Sequence, residues 1–324
     1  MIRSHIVPQL LLKRFASEPS EHGQLRELDR ADLRSAHPTT VRKACREAGY
    51  YRIEAEDLEE WAREGHDPEI AEDALGRVEA EAGALVDGLI AGRLPRTDAD
   101  RLHLALFVAV QMTRGWQFHE EMNQFSTLQM RQELQDRRDE ARAWLRHRGQ
   151  PARPKDVEAS LDRVSSSDGP RRVMNKAARV QVSLRHALYT LTPMLLERHL
   201  RILRFDKPSL VVSDAPVGTW APGQDRAVGV GNAALVFLPL SRQVALAYGA
   251  KTSAVDAVVG PRRAAQINFL TADGAVRWVY EHPDDRIVET LDIPADRPKW
   301  VTEFVAELEQ LGGSRRELWQ HVRR

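Results

Sequence analysis

The sequence predicts an α+β protein, predominantly helical, in which a helical layer packs on a small, mostly antiparallel sheet. Three observations carry this. Apolar residues recur at three- and four-residue spacings from Asp57 to about Leu200. After Arg204, the short runs "SLVVS", "ALVFLPLS" and "QVALAYG" are rich in β-formers and separated by Gly, Pro and Asp clusters. Helical spacing returns from Pro261, so the sheet is assembled from segments distant in sequence.

Taken in order, His5-Ile6-Val7 is expected to be extended because it precedes Pro8, and Pro8 is suited to open a short helix through Phe15. "GQLRELDR" alternates after a glycine and "GYYRIE" is rich in aromatic and branched residues, so these two read as strands of one hairpin or small sheet. Leu58, Trp61, Ile70, Leu75, Val78, Leu85, Val86 and Leu89 then follow a helical period. "GRLPRTDADR" stops that helix, and Thr97 or Asp98 caps the next, which is expected to run past Trp116 toward Trp144 with a solvated C-terminal half. His119-Glu120-Glu121 sits on that wetter part and reads as solvent-facing. Gly149 to Arg172 concentrates Pro, Ser and charge, the composition of a mobile insertion. Helices are expected from Val173 to about Arg201, from Pro261 to Tyr280 and from Pro298 to about Leu311, followed by the basic terminal helix "SRRELWQHVRR". These parts make a single domain over 1–324: an N-terminal β/α segment (1–53), a helical region (54–204) with the mobile insertion near 149–172, and an α+β region (205–324).

Composition narrows the function classes. Lys plus Arg and Asp plus Glu are both 47, so no global positive excess marks a nucleic-acid or acidic-membrane binder, although a local basic patch is compatible with this. Cys45 is the only cysteine, which leaves no intramolecular disulfide or cysteine-based zinc site and fits a reducing compartment; a cytoplasmic setting is expected. Leu10–Leu12 is too short for a signal-peptide core, and Leu102 to Met112 falls short of the ~20 residues of a membrane span. No membrane partner is expected. GxGxxG after a strand, GxxxxGKS/T, HExxH and GxSxG are all absent, which lowers the dinucleotide, Walker-type, zincin and α/β-hydrolase readings. His5, Asp214 and His282 share no ligand spacing, so neither a metal nor an organic cofactor is expected.

The order of these segments resembles the bacterial family catalogued as domain of unknown function 4238. The resemblance rests on "HIVPQLLLKRFA", "GQLRELDR" with "GYYRIE", "DRLHLALFVAVQMTR", "LVVSDAPV" with "VFLPLSRQVAL", and "INFLTADGAVRWVYEHPDD", and it spans nearly the whole chain. Two positions depart from the pattern: Ala215 stands where the family has Asn, and Arg242 where it has Pro. No role resting on those two side chains carries over.

Gln111 and Arg114 are the strongest candidates for a site. They lie one turn apart on a helix apolar on both faces, and an unsatisfied buried amide costs ~1–3 kcal/mol, an unpaired charge more. They either lock that helix to neighbouring carboxylates and carbonyls or hold a ligand. Asp214, at a strand end before Ala215-Pro216, is the expected partner of Arg114, with Ser213 beside it; capping its own turn is the plainer role for such an aspartate. His5 brings an imidazole that can transfer protons near neutral pH, with Gln9 close by in sequence, and both can equally tie down the N-terminus. Asn268, inside the apolar pattern of "QINFL", can bridge helix and sheet or line a pocket. The leading expectation is a metal-independent hydrolase of a phosphate-containing substrate, a nucleotide or nucleic acid. His5 would be its general acid or base, Arg114 would bind the anion, Asp214 would orient one of them, and Gln9, Gln111, Ser213 and Asn268 would contact substrate. The alternative is a non-catalytic binding or regulatory module in which the same residues form a structural network.

Overall fold

A computed structural model describes residues 3–127, 130, 155, 174–223, 228–249, 256–258 and 260–294. The readings made for Gly149 to Arg172, for the helix toward Trp144 and for the two terminal helices lie outside the described residues. The chain divides into two compact units, Met1–His119 with Lys176–Pro298 and Glu120–Asn175 with Lys299–Arg324. The first carries the sheets, the core and the candidate residues.

Pro8 fixes the entry of the chain. Its backbone (φ −58°, ψ 140°) turns β1 (Arg3–His5) into α1 (Gln9–Leu12), whose Leu11 and Leu12 are fully buried. β1 pairs antiparallel with β4 (Arg46–Ala48). β2 (Gln24–Asp29) forms as expected, but its partners are β3 (Asp32–Thr40) and β11 (Trp278–Glu281), not "GYYRIE". The reason is local: Gly49 lies at φ +61°, and the turn after it buries both Tyr50 and Tyr51, whereas a strand would alternate them. β3 carries mostly exposed polar residues, so its pairing, not its period, makes it a strand.

The 58–89 pattern also resolves differently. Two short 3-10 turns, Ala55–Asp57 and Glu60–Ala62, precede α2 (Ile70–Ile90), and Gly65 at φ +69° separates them from it. Thr97 caps α3 (Asp98–Thr113) in a reciprocal box with Asp100. α3 is buried from Leu104 to Val110 save for the half-buried Leu106, then bends at 114–115 before a helical run over 116–127. At the bend Gly115 packs against the Asp214 carbonyl and Ile6, where a Cβ would make ordinary contacts of 3.5 and 3.7 Å.

The helix expected over 173–201 is α4 (Lys176–His186), a π-turn (Ala187–Leu191) and α5 (Thr192–Leu196). Pro193 lacks an N–H and its ring would strike the carbonyl four residues back, so the widened turn just before it accommodates the proline. β5 (His199–Arg204) begins where helix was expected. It lies in a five-stranded sheet of order β10-β5-β9-β8-β7, built with β7 (Gly218–Trp220), β8 (Leu235–Ser241), β9 (Val244–Gly249) and β10 (Asp256–Val258); only the β10–β5 pair is parallel. α6 (Pro261–Asp273) ends at Gly274, and the stretch first read as its continuation is β11, between β2 and β6 (Val212–Ser213) in a four-stranded antiparallel sheet.

The fold is α+β, with three small sheets among the described residues in place of the single one expected, so the helical share is smaller than "predominantly helical" implies. One apolar core joins Ile6, Leu11, Phe15, the inner faces of α2 and α3, and β8–β9; a smaller one joins Leu28, Val211, Ala272 and Val279. Gly23 marks the tightest backbone approach: a Cβ there would lie 2.2 Å from the Glu18 carbonyl oxygen. Gly23→Ala is therefore expected to cost about 2–3 kcal/mol in urea unfolding, as backbone must move to admit the methyl group.

Candidate functional site

Arg114 is the hub of the polar residues. It is 4% exposed and follows the last turn of α3, where its guanidinium meets three elements at once. Nη1 donates to Glu79 Oε1 (2.5 Å) on α2, Nη2 to the backbone carbonyl of His5 (2.7 Å) on β1, and Nε to the Tyr51 hydroxyl oxygen (3.2 Å). The Tyr51 hydroxyl in turn donates to the Arg114 carbonyl (3.0 Å), and its ring lies under the guanidinium. Burial alone would lower the pKa of Arg114, but Tyr51 and Glu79 outweigh it and hold the charge on.

The expected pairing with Asp214 is corrected here. The ion-pair partner of Arg114 is Glu79, while Asp214, 1% exposed, turns its carboxylate to the loop before β11 and accepts the backbone N–H groups of Val276 (2.7 Å), Arg277 (2.7 Å) and Trp278 (2.9 Å). Three consecutive donors converge there because the chain reverses between α6 and β11, and a carboxylate satisfies them better than any neutral group. Ser213 closes an adjacent turn, its Oγ donating to the Ala215 carbonyl (3.0 Å) and accepting from the Ala215 N–H (3.3 Å). Asn268 ties α6 to the segment before β6, accepting from Val211 N (3.2 Å) and donating to the Ser209 carbonyl (2.6 Å). Arg242, one of the two departures, forms a bidentate pair with Asp285 (2.7 and 3.0 Å).

His5 is half-buried at the end of β1. Its Nε2 lies 3.3 Å from Gln9 Nε2, and the Arg42 carbonyl acts on the ring to favour its protonated form. Burial lowers its pKa against the opposing pull of that carbonyl and of Glu79, which favours the neutral imidazole. Neutral His5 accepts the Gln9 amide through Nε2. Gln111 is 3% exposed, and neither of its amide atoms has a hydrogen-bond partner among the described residues. The structure thus brings His5, Gln9 and Arg114 together, directs the Asp214 carboxylate to the N–H groups of 276–278, and turns Ser213 and Asn268 to separate structural tasks.

Sequence reasoning missed the carboxylates. Glu79 sits in the apolar stripe of α2 formed by Ala71, Leu75, Ala82 and Val86, and an acidic residue in such a stripe was the available signal. Glu72, two turns earlier, is half-buried, and burial raises its pKa. Among the described residues no three His, Cys, Asp or Glu side chains converge to hold a metal ion. No helix among them is long and apolar enough to cross a membrane.

His119 also needs correction: it is 5% exposed, not solvent-facing. The Tyr50 hydroxyl donates to Nδ1 (2.5 Å), Nε2 donates to Ser183 Oγ (2.9 Å), and Ser183 donates to the Arg179 carbonyl (2.8 Å). Burial, then the positive charge of Arg179, push its pKa down to about 4. The unfolded chain therefore binds this proton before the folded one does. Stability from this group is present in full above about pH 6.5 and falls by about 3 kcal/mol as the pH drops toward 4. Urea unfolding across that window should show the loss in wild type and a flatter profile in His119→Gln.

Fold and network define a class, an α+β protein whose separate sheets and helices are tied by buried charge-assisted hydrogen bonds. Residues 3–285 match the family model described as "Protein of unknown function (DUF4238)", nearly the whole chain, and the chain belongs to that family. No curated protein and no solved structure matches it.

Proposed function

We propose that the chain is a non-catalytic binding or regulatory module in which the polar network is structural. One observation carries the reading: the groups that a hydrolase would direct at substrate are turned inward. Arg114 is spent on Glu79, Tyr51 and the His5 carbonyl, and Asp214 on three backbone N–H groups. A guanidinium so paired has little charge left for a phosphate. The single buried cysteine, Cys45, supports a cytoplasmic setting.

The second reading, a metal-independent hydrolase of nucleotides or nucleic acid, is favoured by one group, the half-buried and neutral imidazole of His5, which can act as a general base. His5→Ala separates the two. The module reading expects reduced stability and no turnover of bis(p-nitrophenyl) phosphate by either protein. Turnover by wild type that vanishes in a variant of unchanged stability overturns it.

A further inference from the structure

The chain leaves the first unit after His119 and returns to it at Lys176. Both crossings meet one short stretch, residues 47–50, at the end of β4 and in the turn after it. On the outgoing side, Trp116 Nε1 donates to Glu47 Oε2 (2.8 Å), and the Tyr50 hydroxyl donates to His119 Nδ1 (2.5 Å). On the returning side, Lys176 Nζ donates to the Gly49 carbonyl (3.0 Å). Gly49, at φ +61°, makes the turn, and the same carbonyl accepts from Arg52 N (3.2 Å). His119 joins the two sides. Its Nε2 donates to Ser183 Oγ (2.9 Å) on α4, and Phe118 beside it stacks on His186 with ring centroids 5.4 Å apart. These links differ in what they cost to break: the Trp116–Glu47 bond is exposed, so water replaces it readily, whereas Tyr50, His119 and Ser183 are all buried. Loss of the Tyr50 hydroxyl strands a buried ring nitrogen.

We propose that the 47–50 turn is a clasp that holds both chain crossings to the second unit and opens as one local step at the Tyr50–His119 bond. Three elements distant in sequence share this single chain of donors and acceptors, so release at its first link loosens the helical run at 116–119 and the start of α4 together. The core does not depend on it. β8 and β9 are buried along nearly their whole length and make none of these bonds, so they stay folded while the clasp opens, as expected of separate cooperative units. The bonds named are distinct from those of Arg114, and the proposal stands or falls independently of the module reading.

Native-state hydrogen exchange of the full chain at neutral pH, read by mass spectrometry over a series of low urea concentrations, tests it. In wild type, the amides of 116–119 and of 176–183 are expected to share one opening constant, about tenfold or more above that of β8 and β9, with a weaker dependence on urea. Tyr50→Phe removes only the hydroxyl. It should raise the opening constant about tenfold at both crossings and leave β8 and β9 unchanged. The wild-type arm decides by itself if the variant does not fold: crossings that open with different constants, or only together with β8 and β9, overturn the proposal. So does a folded Tyr50→Phe in which exchange is unchanged, faster at one crossing alone, or faster equally in β8 and β9.

Discussion

Asp214→Ala is expected to lower the unfolding free energy by about 4–6 kcal/mol, the largest effect of any substitution considered. Its carboxylate is the acceptor for the N–H groups of Val276, Arg277 and Trp278, all within 2.9 Å, at a site 1% exposed. Alanine leaves three buried donors unmade, and each costs about 1–3 kcal/mol. Asp214→Asn should recover only part, because its amide nitrogen would face donors where an oxygen is required. Denaturant unfolding monitored by far-UV circular dichroism measures both. Stability of Asp214→Ala within about 1 kcal/mol of wild type would mean that water replaces the carboxylate, and the account of the loop before β11 would fail.

Arg114→Ala is expected to cost about 3–5 kcal/mol. It strands the Glu79 carboxylate, the His5 carbonyl and the Tyr51 hydroxyl together, at the one point where β1, α2 and α3 meet. Arg114→Lys should rescue little. A single ammonium cannot present the planar fork that reaches three acceptors in different directions. Glu79→Gln should cost less than Arg114→Ala, because the Glu79 side chain is 25% exposed and water can reach the site. Losses of this size are a large part of a typical domain's stability, so the variants are best compared at low temperature and by denaturant midpoint.

How much of this was readable in the chain depends on what each residue answers to. Thr97 as a cap, the extended entry before Pro8, the strands of "ALVFLPLS" and "QVALAYG" and the burial of Leu104 to Val110 are local consequences of turn chemistry and period, and the sequence shows them. β3 and β11 answer to partners. One is a polar strand made by pairing with β2, and the other is an apolar run that looks like the end of α6 until Gly274 breaks it. Gln111 and Arg114 were recognisable as buried polar residues, but the direction of the Arg114 side chain was not. Asp214 is adjacent through its backbone and turned away through its carboxylate, and no spacing rule separates those two cases. Glu79 carried a signal, a carboxylate within an apolar stripe, but among the other acids of α2 it reads as surface charge.

The most direct test of the central claim, that the polar network is structural, is the unfolding free energy of His5→Ala. The ring of His5 hydrogen-bonds Gln9, and its own carbonyl receives Arg114. A structural latch predicts a loss of about 1–2 kcal/mol on removing the imidazole. Wild-type stability in His5→Ala, whatever became of any activity, would contradict it and return "SHIVPQ" to the role of a catalytic edge.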